Sequence, residues 1–317
     1  MAELDLRVKV LGRLLGRLAV AEQSEQDILR MQQRPVAHSP LTDLVIGGRV
    51  KGVATREGTA AGAAGAIPIR ADRPGRTGGR LPLVLLFHGG GWTTGDLNSH
   101  DHLAGSIAAE ARCVVVSVAY RLAPANRFPA AAEDCYAALV DVAARAAEWG
   151  ADSEHIAVVG DSAGGNLAAV VALMARDRSG PRIAFQGLLY PATDLTAGSP
   201  SIDENADAPI LTKRDVFAFR DHYLGGQDPT NPYASPLLAD DLSGLPPALV
   251  QVAEHDPIRD DGLRYAAALE AAGVSVRATT YWGMPHGYFT FPRLCRAVPQ
   301  ALGELAAALR AVLHPVA

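Results

Sequence analysis

The feature that most constrains the fold is a serine set between glycines at a strand-to-helix junction. An apolar strand pattern, Ile156–Val159, leads into Gly-Asp-Ser-Ala-Gly-Gly at residues 160–165, and a helix-forming run begins at Asn166. A strand that turns at once into a helix strains the residue at its tip, so only small neighbours fit. The pattern predicts that the Ser162 hydroxyl stands clear of a sheet, beside a helix N-terminus. Ordinary Gly/Ser turns share this pattern, so other motifs in the chain are needed to distinguish a nucleophilic serine from a simple turn.

The remainder of the chain alternates between strand and helix patterns. The solidly apolar runs Leu81–Phe87 and Cys113–Val118 are typical of strands buried on both faces of a sheet. Further strands are predicted at 183–190, 246–252 and 274–281, with helices at 129–147, 261–272 and 299–313. This alternation predicts an α/β fold with a mostly parallel central sheet flanked by helices.

Three segments depart from the alternation. Residues 1–50 are predicted to be mostly helical, with a capping box at Ser24, and residues 45–73 to form two strands around a turn at Gly58–Gly65. Residues 191–234 are richer in Pro, Asp and Asn and contain one clear helix, Lys213–Leu224. We expect this last segment to leave the sheet.

The first predicted helix is amphipathic. Basic residues Arg7, Lys9, Arg13 and Arg17 interrupt the apolar positions of residues 6–18, which makes the run too charged for a secretory signal or a membrane span. Such a helix either lies on a membrane surface or covers apolar surface of its own protein, and we favour the second interpretation. The sequence therefore predicts no stable membrane insertion.

Charge and cysteine usage exclude several classes of site. A net charge of −5 argues against nucleic acid as a partner, because a protein with an excess of negative charge does not attract the phosphate backbone. The cysteines, Cys113, Cys135 and Cys295, are far apart, which predicts buried free thiols, reducing surroundings and a cytoplasmic location. His100 and His102 lack a third ligand at metal-site spacing, so we predict no metal and a surface or cap-side role.

A serine hydroxyl becomes a nucleophile only with a base, and the base needs an orienting carboxylate. In α/β-hydrolases the chain order is serine, acid, histidine, each after a strand. Glu254 and Asp256 both follow the strand at 246–252, and we favour Asp256 because it starts the loop. His286 lies in a Gly-flanked loop after the last strand, where the base is expected. A turn aspartate and a solvent-facing loop histidine are the alternatives.

A third requirement is a set of preformed N–H donors for an oxyanion. The glycine run at residues 88–92, His-Gly-Gly-Gly-Trp, follows the Leu81–Phe87 strand and is the type found in lipases and esterases. We predict donors at Gly89, Gly90 and Ala163. A flexible glycine turn is the alternative.

Two aromatic residues and one acid near these motifs also have predicted positions. Trp92 and Tyr190 are candidates for the walls of a substrate pocket, with buried aromatic packing as the equal alternative. Asp161 precedes the serine, and we expect its side chain to point away from the nucleophile in a structural role.

Taken together, the motifs resemble the hormone-sensitive lipase-like esterases, the bacterial family IV group. The residues that carry the resemblance are His88-Gly-Gly-Gly-Trp92, Tyr120-Arg-Leu-Ala-Pro124, Gly160-Asp-Ser-Ala-Gly-Gly165, Asp256-Pro257 and His286-Gly287. The match runs from about residue 83 to the C-terminus. The departures are small: Asn126 stands where an acidic residue is frequent, and Tyr288 where Phe is usual.

The resemblance implies an α/β-hydrolase fold with a helical cap. Residues 1–50 and 191–234 would form the cap, and residues 51–190 with 235–317 the catalytic domain. It also implies a serine carboxylesterase that acts on short- to medium-chain acyl esters without a cofactor. A homodimer joined through the edge of the last strand, Val274–Tyr281, would be typical of the family.

Other functions remain compatible with the same residues. Deacetylation of a natural product, or lactone or amide hydrolysis, would use the same triad. A non-catalytic small-molecule receptor on this fold is a further alternative, but such relatives typically lose the triad histidine, and His286 is present.

Overall fold

The computed structural model describes residue 4 and residues 6–15, 19–75 and 77–314. Within these ranges the strands are β1 (Val53–Gly62), β2 (Gly65–Pro74), β3 (Leu81–Phe87), β4 (Val114–Val118), β5 (Ala151–Asp161), β6 (Phe185–Leu189), β7 (Ala248–His255) and β8 (Val276–Pro285). The α-helices are α1 (Leu6–Leu15), α2 (Glu25–Gln32), α3 (Pro40–Ile46), α4 (Asp101–Ala111), α5 (Ala130–Ala144), α6 (Ala163–Asp177), α7 (Ser201–Glu204), α8 (Lys213–Leu224), α9 (Arg259–Ala271) and α10 (Val298–Leu313).

The strands of the described residues form one sheet in the order β1-β2-β4-β3-β5-β6-β7-β8. From β4 to β8 every neighbouring pair is parallel, whereas β2 is antiparallel to both β1 and β4. The predicted mostly parallel α/β sheet is confirmed. Its parallel strands end at one edge, where the loops that follow them meet.

Helices pack on both faces of the sheet, and strand β3 shows why. Its residues alternate between the two apolar cores: Leu83, Leu85 and Phe87 pack with α5, α6 and α9, while Val84 and Leu86 pack with α4 and α10. All seven residues of β3 are buried. The continuous apolar run therefore reflects burial on both faces, as predicted.

The turn of the β1–β2 hairpin lies within the predicted range of residues 58–65 but is shorter than predicted. Strand β1 runs straight through Gly58, and the turn lies at residues 63–64. Gly58 is small for another reason: a Cβ there would lie 2.3 Å from Cη2 of Trp149. Val45, placed in a strand by the sequence, lies in helix α3. In the sequence, a glycine that leaves room for a neighbouring indole looks the same as a glycine that forms a turn.

The N-terminal helix faces the protein itself. Val8 of α1 is fully buried in the core that also contains α4 and α10, whereas Val10 is exposed. Residues 16–18, which hold Arg17 and Leu18 of the predicted helix, lie outside the described residues. The Ser24 hydroxyl accepts the Asp27 N–H, as expected for the cap of α2. Nowhere in the described ranges is a helix both long enough and apolar enough for a membrane crossing.

The segment between β6 and β7 holds the helix predicted for it. Helix α8 begins after Thr212, which forms a reciprocal capping box with Asp215. The Ala21 N–H donates to Oδ1 of the same Asp215 at 3.2 Å, and Arg214 pairs with Glu22 at 2.8 Å. Residues near the N-terminus and residues 191–234 therefore contact each other. Their assignment to one cap stays a prediction.

The turn from β5 into α6 is as tight as the sequence requires. A Cβ on Gly160 would lie 2.1 Å from the Gly164 carbonyl oxygen, and a Cβ on Gly164 would lie 1.9 Å from the Phe87 carbonyl oxygen. Both obstacles are backbone atoms, so no side-chain rotation relieves the overlap. The two glycines allow α6 to approach the ends of β3 and β5.

We predict that Gly164→Ala lowers the free energy of unfolding by roughly 3 kcal/mol or more, because the methyl group overlaps backbone. Gly303→Ala is the matched control: its Cβ would meet nothing within 4 Å, and alanine inside a helix is favoured over glycine by about 0.5–1 kcal/mol. Denaturant unfolding of both variants measures the difference. Equal stability of Gly164→Ala and the wild type would contradict the packing described for the turn.

Candidate active site

Ser162 occupies the tip of the turn between β5 and α6. Its backbone has φ 55° and ψ −120°, a strained conformation for a residue with a side chain. The Ser162 N–H donates to the Leu189 carbonyl of neighbouring strand β6 at 2.8 Å, which helps to hold the strained residue. The side chain is half-buried and borders a cavity. The structure thus displays the hydroxyl at the edge of the sheet.

His286 joins Ser162 to Asp256. The His286 Nε2 lies 2.8 Å from the Ser162 Oγ, and its Nδ1 lies 2.8 Å from the Asp256 Oδ2. A carboxylate accepts only, so Nδ1 carries the proton, and the Nε2 lone pair faces the hydroxyl. Asp256 and His286 follow the neighbouring parallel strands β7 and β8. Three residues far apart in sequence therefore form one chain of hydrogen bonds.

The two carboxylates after the β7 pattern have different partners. Asp256 is fully buried, and its second oxygen accepts the Ile258 N–H at 2.9 Å. Glu254 lies within β7 and accepts the Gly283 N–H at 2.7 Å, which fastens β8. Of the two candidates, Asp256 contacts the histidine.

The glycine loop is in place, but one predicted donor needs correction. The Gly89 N–H donates to the Asp161 Oδ1 at 2.9 Å, so it is not available to an oxyanion. Gly90 (φ +116°) and Gly91 (φ +59°) border the cavity, and within the described part of the chain their N–H groups have no acceptor. Ala163 borders it too, at the first turn of α6, where helix N–H groups lack intrahelical partners. Gly91, the third glycine of the run, therefore replaces Gly89 as an expected oxyanion donor.

The two aromatic candidates have different positions. Trp92 borders the cavity, and its indole stacks on Tyr223 with ring centres 4.4 Å apart. Tyr190 is not a pocket wall: it is fully buried and packs edge-on against the His286 ring at 4.9 Å. The buried-packing alternative is therefore correct for Tyr190, which directly follows β6 and packs against the histidine ring.

The cavity has a volume of about 280 Å³ and lies between the carboxyl edge of the sheet and residues 192–220. Apolar side chains supply most of its wall: Trp92, Leu195, Ile210, Leu211, Val216, Phe219, Ile258 and Phe291. Ile210 holds φ +79°, an unfavourable conformation for a β-branched residue, at the part of the wall next to Gly287. A mostly apolar chamber thus opens directly onto Ser162.

Three buried acids, Asp161, Asp194 and Asp261, also border the cavity. Asp194 pairs with Arg264 at 2.8 Å, and Asp261 accepts from the Ser199 hydroxyl at 2.7 Å and from the Asp194 N–H at 3.2 Å. Burial raises the pKa of Asp261 to about 8; the carboxylates of Asp194 and Asp256 add to this rise, and the Ser199 hydrogen bond opposes it. The surroundings of Asp261 in the cavity wall therefore favour its uncharged form.

His100 and Asp161 form an ion pair behind the glycine loop. Both are buried, and the His100 Nε2 lies 2.9 Å from the Asp161 Oδ1. The surface position considered for His100 is wrong, because the residue is buried and borders the cavity beside the loop that follows β3. His102 lies apart and contacts the Gly48 carbonyl at 3.0 Å. In the described part of the chain no group of three or more His, Cys, Asp or Glu residues could hold a metal ion.

Asn166 is a site residue whose function the sequence did not reveal. Its buried side-chain amide donates to the Ala192 carbonyl at 2.7 Å and to the Ala234 carbonyl at 2.8 Å. These carbonyls belong to the two ends of the segment 191–234. One side chain on α6 therefore fastens both ends of that segment next to Ser162. The motif Gly-Gly-Asn at residues 164–166 was the available signal.

Comparison with known proteins agrees with this geometry. Residues 84–290 match the model of a family described by its alpha/beta hydrolase fold. Over 290 residues the chain is 44% identical to the carboxylesterase NlhH of Mycobacterium tuberculosis, covering 90% of this chain and 84% of that protein. The chain belongs to the hormone-sensitive lipase-like esterases of the α/β-hydrolase superfamily. The esterase LipI of the same organism is 48% identical over 235 residues, which cover 74% of this chain and 73% of LipI.

Solved structures of esterases share the whole architecture. A hyperthermophilic esterase from Pyrobaculum calidifontis superposes with a TM-score of 0.86 at 39% identity, and a thermostable esterase from Pseudomonas putida ECU1011 with 0.86 at 34%. Each comparison covers 98% of both chains. This esterase is a carboxylic ester hydrolase, as the resemblance implied, and the predicted family and fold are confirmed.

Proposed function

We propose that the protein is a serine carboxylesterase that hydrolyses short- to medium-chain acyl esters through an acyl-enzyme. The observation that carries the proposal is the chain of two 2.8 Å hydrogen bonds, from Asp256 through His286 to Ser162, at the floor of an apolar cavity. A non-catalytic receptor would not need a histidine in hydrogen-bond contact with the serine.

In the proposed acylation, the Ser162 Oγ attacks the ester carbonyl carbon while the His286 Nε2 takes the hydroxyl proton. The carbonyl oxygen becomes an oxyanion, and the N–H groups of Gly90, Gly91 and Ala163 donate to it. Collapse of the tetrahedral intermediate breaks the ester C–O bond, and His286 gives its proton to the departing alcohol. Asp256 stabilises the imidazolium throughout.

In deacylation, His286 removes a proton from water, and the resulting hydroxide attacks the acyl-enzyme carbonyl. The second tetrahedral intermediate expels the Ser162 oxygen, which regains its proton from His286, and the carboxylic acid leaves. The cycle uses only side chains and backbone of this chain and water, without a cofactor.

The cavity supports the proposed substrate class. Its apolar wall favours an acyl chain by burial of hydrocarbon, about 0.8 kcal/mol for each methylene. We include residues 1–50 and 191–234 in the proposal as a cap, since the second segment supplies Ile210, Leu211, Val216 and Phe219 to that wall. Chain length would then be limited by the depth beneath these residues.

We also propose that the esterase forms a homodimer through strand β8. Strand β8 is an edge of the described sheet, with Val276–Pro285 paired on one side to β7. Trp282 on this strand is 69% exposed, unusual for so large an apolar side chain. An unpaired edge with an exposed indole is well suited to pairing with a second copy.

We predict that Ser162→Ala lowers kcat/KM for p-nitrophenyl butyrate by at least about 10⁴-fold, because the nucleophile is removed. Asp256→Asn should lower it by a similar factor, since the amide no longer stabilises the correct histidine tautomer. Glu254→Gln is the matched control, which keeps an acceptor for Gly283, and we expect less than a tenfold change. Near-wild-type turnover by Ser162→Ala would rule the mechanism out. A larger loss of activity in Glu254→Gln than in Asp256→Asn would identify Glu254, instead of Asp256, as the acid that orients His286.

The dimer is tested by light scattering after size-exclusion chromatography. We expect the wild type to run at twice the 33.2 kDa chain mass and Trp282→Glu to run as a monomer. Leu44→Glu is the control, because Leu44 is also an exposed apolar residue, at 53%, but lies on α3. A monomeric wild type at micromolar concentration would contradict the proposed dimer, as would a Trp282→Glu variant that remains dimeric.

A further inference from the structure

A buried carboxylate next to the nucleophile has no step in the proposed reaction. Asp161 is the last residue of β5, is 3% exposed, and directly precedes Ser162. Its Oδ1 lies 2.9 Å from the His100 Nε2 and 2.9 Å from the Gly89 nitrogen. One oxygen atom therefore connects the end of β5, the start of the glycine loop and a histidine.

The hydrogen-bond partners of His100 suit its protonated form. Its Nδ1 lies 2.9 Å from the Ser99 Oγ, and the Ser99 hydroxyl donates its own hydrogen to the Asp96 carbonyl at 2.8 Å. In that arrangement the Ser99 oxygen can accept from Nδ1 while Nε2 donates to Asp161, which is the pattern of an imidazolium. The Gly89 N–H also lies 3.2 Å from Nε2, but its shorter contact is with the Asp161 Oδ1, at 2.9 Å.

The charges of the pair support the same assignment. Burial lowers the pKa of His100, but the charge and hydrogen bond of Asp161 outweigh it, so the pKa is raised overall. Burial likewise raises the pKa of Asp161, and His100 with the Gly89 N–H reverses this into a lowered value. His88, the other histidine beside the pair, is neutral, because burial and the charge of His100 lower its pKa to about 4.

The glycine loop is fastened at two points around the free donors. Asp161 holds the Gly89 N–H, and the Gly90 carbonyl accepts the N–H groups of Thr93 at 3.1 Å and Thr94 at 2.8 Å. Between these two points the backbone is left-handed at Gly90 and Gly91. The first attachment lies directly before the two residues whose N–H groups are the expected oxyanion donors.

We propose that the Asp161–His100 ion pair positions the glycine loop, residues 88–92, so that the Gly90 and Gly91 N–H groups face the oxyanion. Asp161 and His100 both border the cavity, but we assign them as positioning residues, which act on the transition state through Gly89. The inference rests on the proposed function. Preorganised donors stabilise developing charge, and removal of one such donor lowers kcat by about 10²–10³-fold, so a displaced loop has a measurable effect.

The test is Asp161→Asn, which keeps an oxygen for the Gly89 N–H but has no charge for His100. We expect kcat for p-nitrophenyl butyrate to fall about 10–100-fold with KM changed less than about threefold, since the loop meets only the developing oxyanion. The inhibition constant of phenylboronic acid, which forms a tetrahedral adduct with an active serine, should rise by a similar factor. His100→Gln keeps a neutral donor for Asp161 and should lower kcat in the same way, which decides the matter if Asp161→Asn does not fold.

Asp134→Asn is the matched control. Asp134 is also a buried aspartate in an ion pair, with Arg121 at 2.8 Å, but it does not border the cavity. We expect its melting temperature to fall while kcat stays within about twofold of the wild type. Loss of kcat in Asp134→Asn equal to that in Asp161→Asn would contradict the proposal, because general destabilisation would explain both.

Fluorophosphonate labelling separates this inference from the proposed function. A wild type that does not label would overturn the serine mechanism itself. If the wild type, Asp161→Asn and His100→Gln all label completely and both variants keep wild-type kcat, only the ion-pair proposal fails. A raised KM at unchanged kcat would also contradict it, since that result places the effect on substrate binding.

Discussion

The structure depends on one strained turn. Ser162 holds a backbone conformation that costs of the order of 1–3 kcal/mol, and it persists because packing around it leaves no alternative. A Cβ on Gly160 or Gly164 would overlap backbone atoms of neighbouring segments. The Ser162 N–H donates a hydrogen bond to strand β6. The turn thereby places a hydroxyl, the N-terminus of α6 and the end of β3 within one small volume.

The parallel sheet brings the remaining groups to that turn. Strands β3, β5, β7 and β8 point in the same direction, so the loops after them share one edge. The glycine loop, Ser162, Asp256 and His286 come from these four loops. Residues 192–220 supply the opposite wall of the cavity, and Asn166 on α6 hydrogen-bonds to Ala192 and Ala234 at the two ends of segment 191–234. The common direction of the strands therefore brings the proposed catalytic groups together, although each group comes from a different part of the chain.

The order of the motifs along the chain was enough to predict most of the candidate active site. Strand direction and chain order were enough to select Ser162, His286 and Asp256, because each must follow a particular strand. Contacts between distant segments were not encoded in that way. Nothing local indicates that the Gly89 N–H is occupied by Asp161, that His100 is buried, or that Tyr190 packs against the histidine ring instead of bordering the cavity. Gly58 shows the same limit: its neighbour Trp149 is 91 residues away, and a local pattern could only suggest a turn.

The central claim is that Ser162 becomes acylated, and peptide mass spectrometry after brief reaction with p-nitrophenyl acetate and an acid quench tests it most directly. The account predicts an acetyl group on the peptide that contains Ser162 and its absence in a Ser162→Ala sample treated in parallel. Acetylation confined to lysines or to another serine, with an unmodified Ser162 peptide during turnover, would contradict the account.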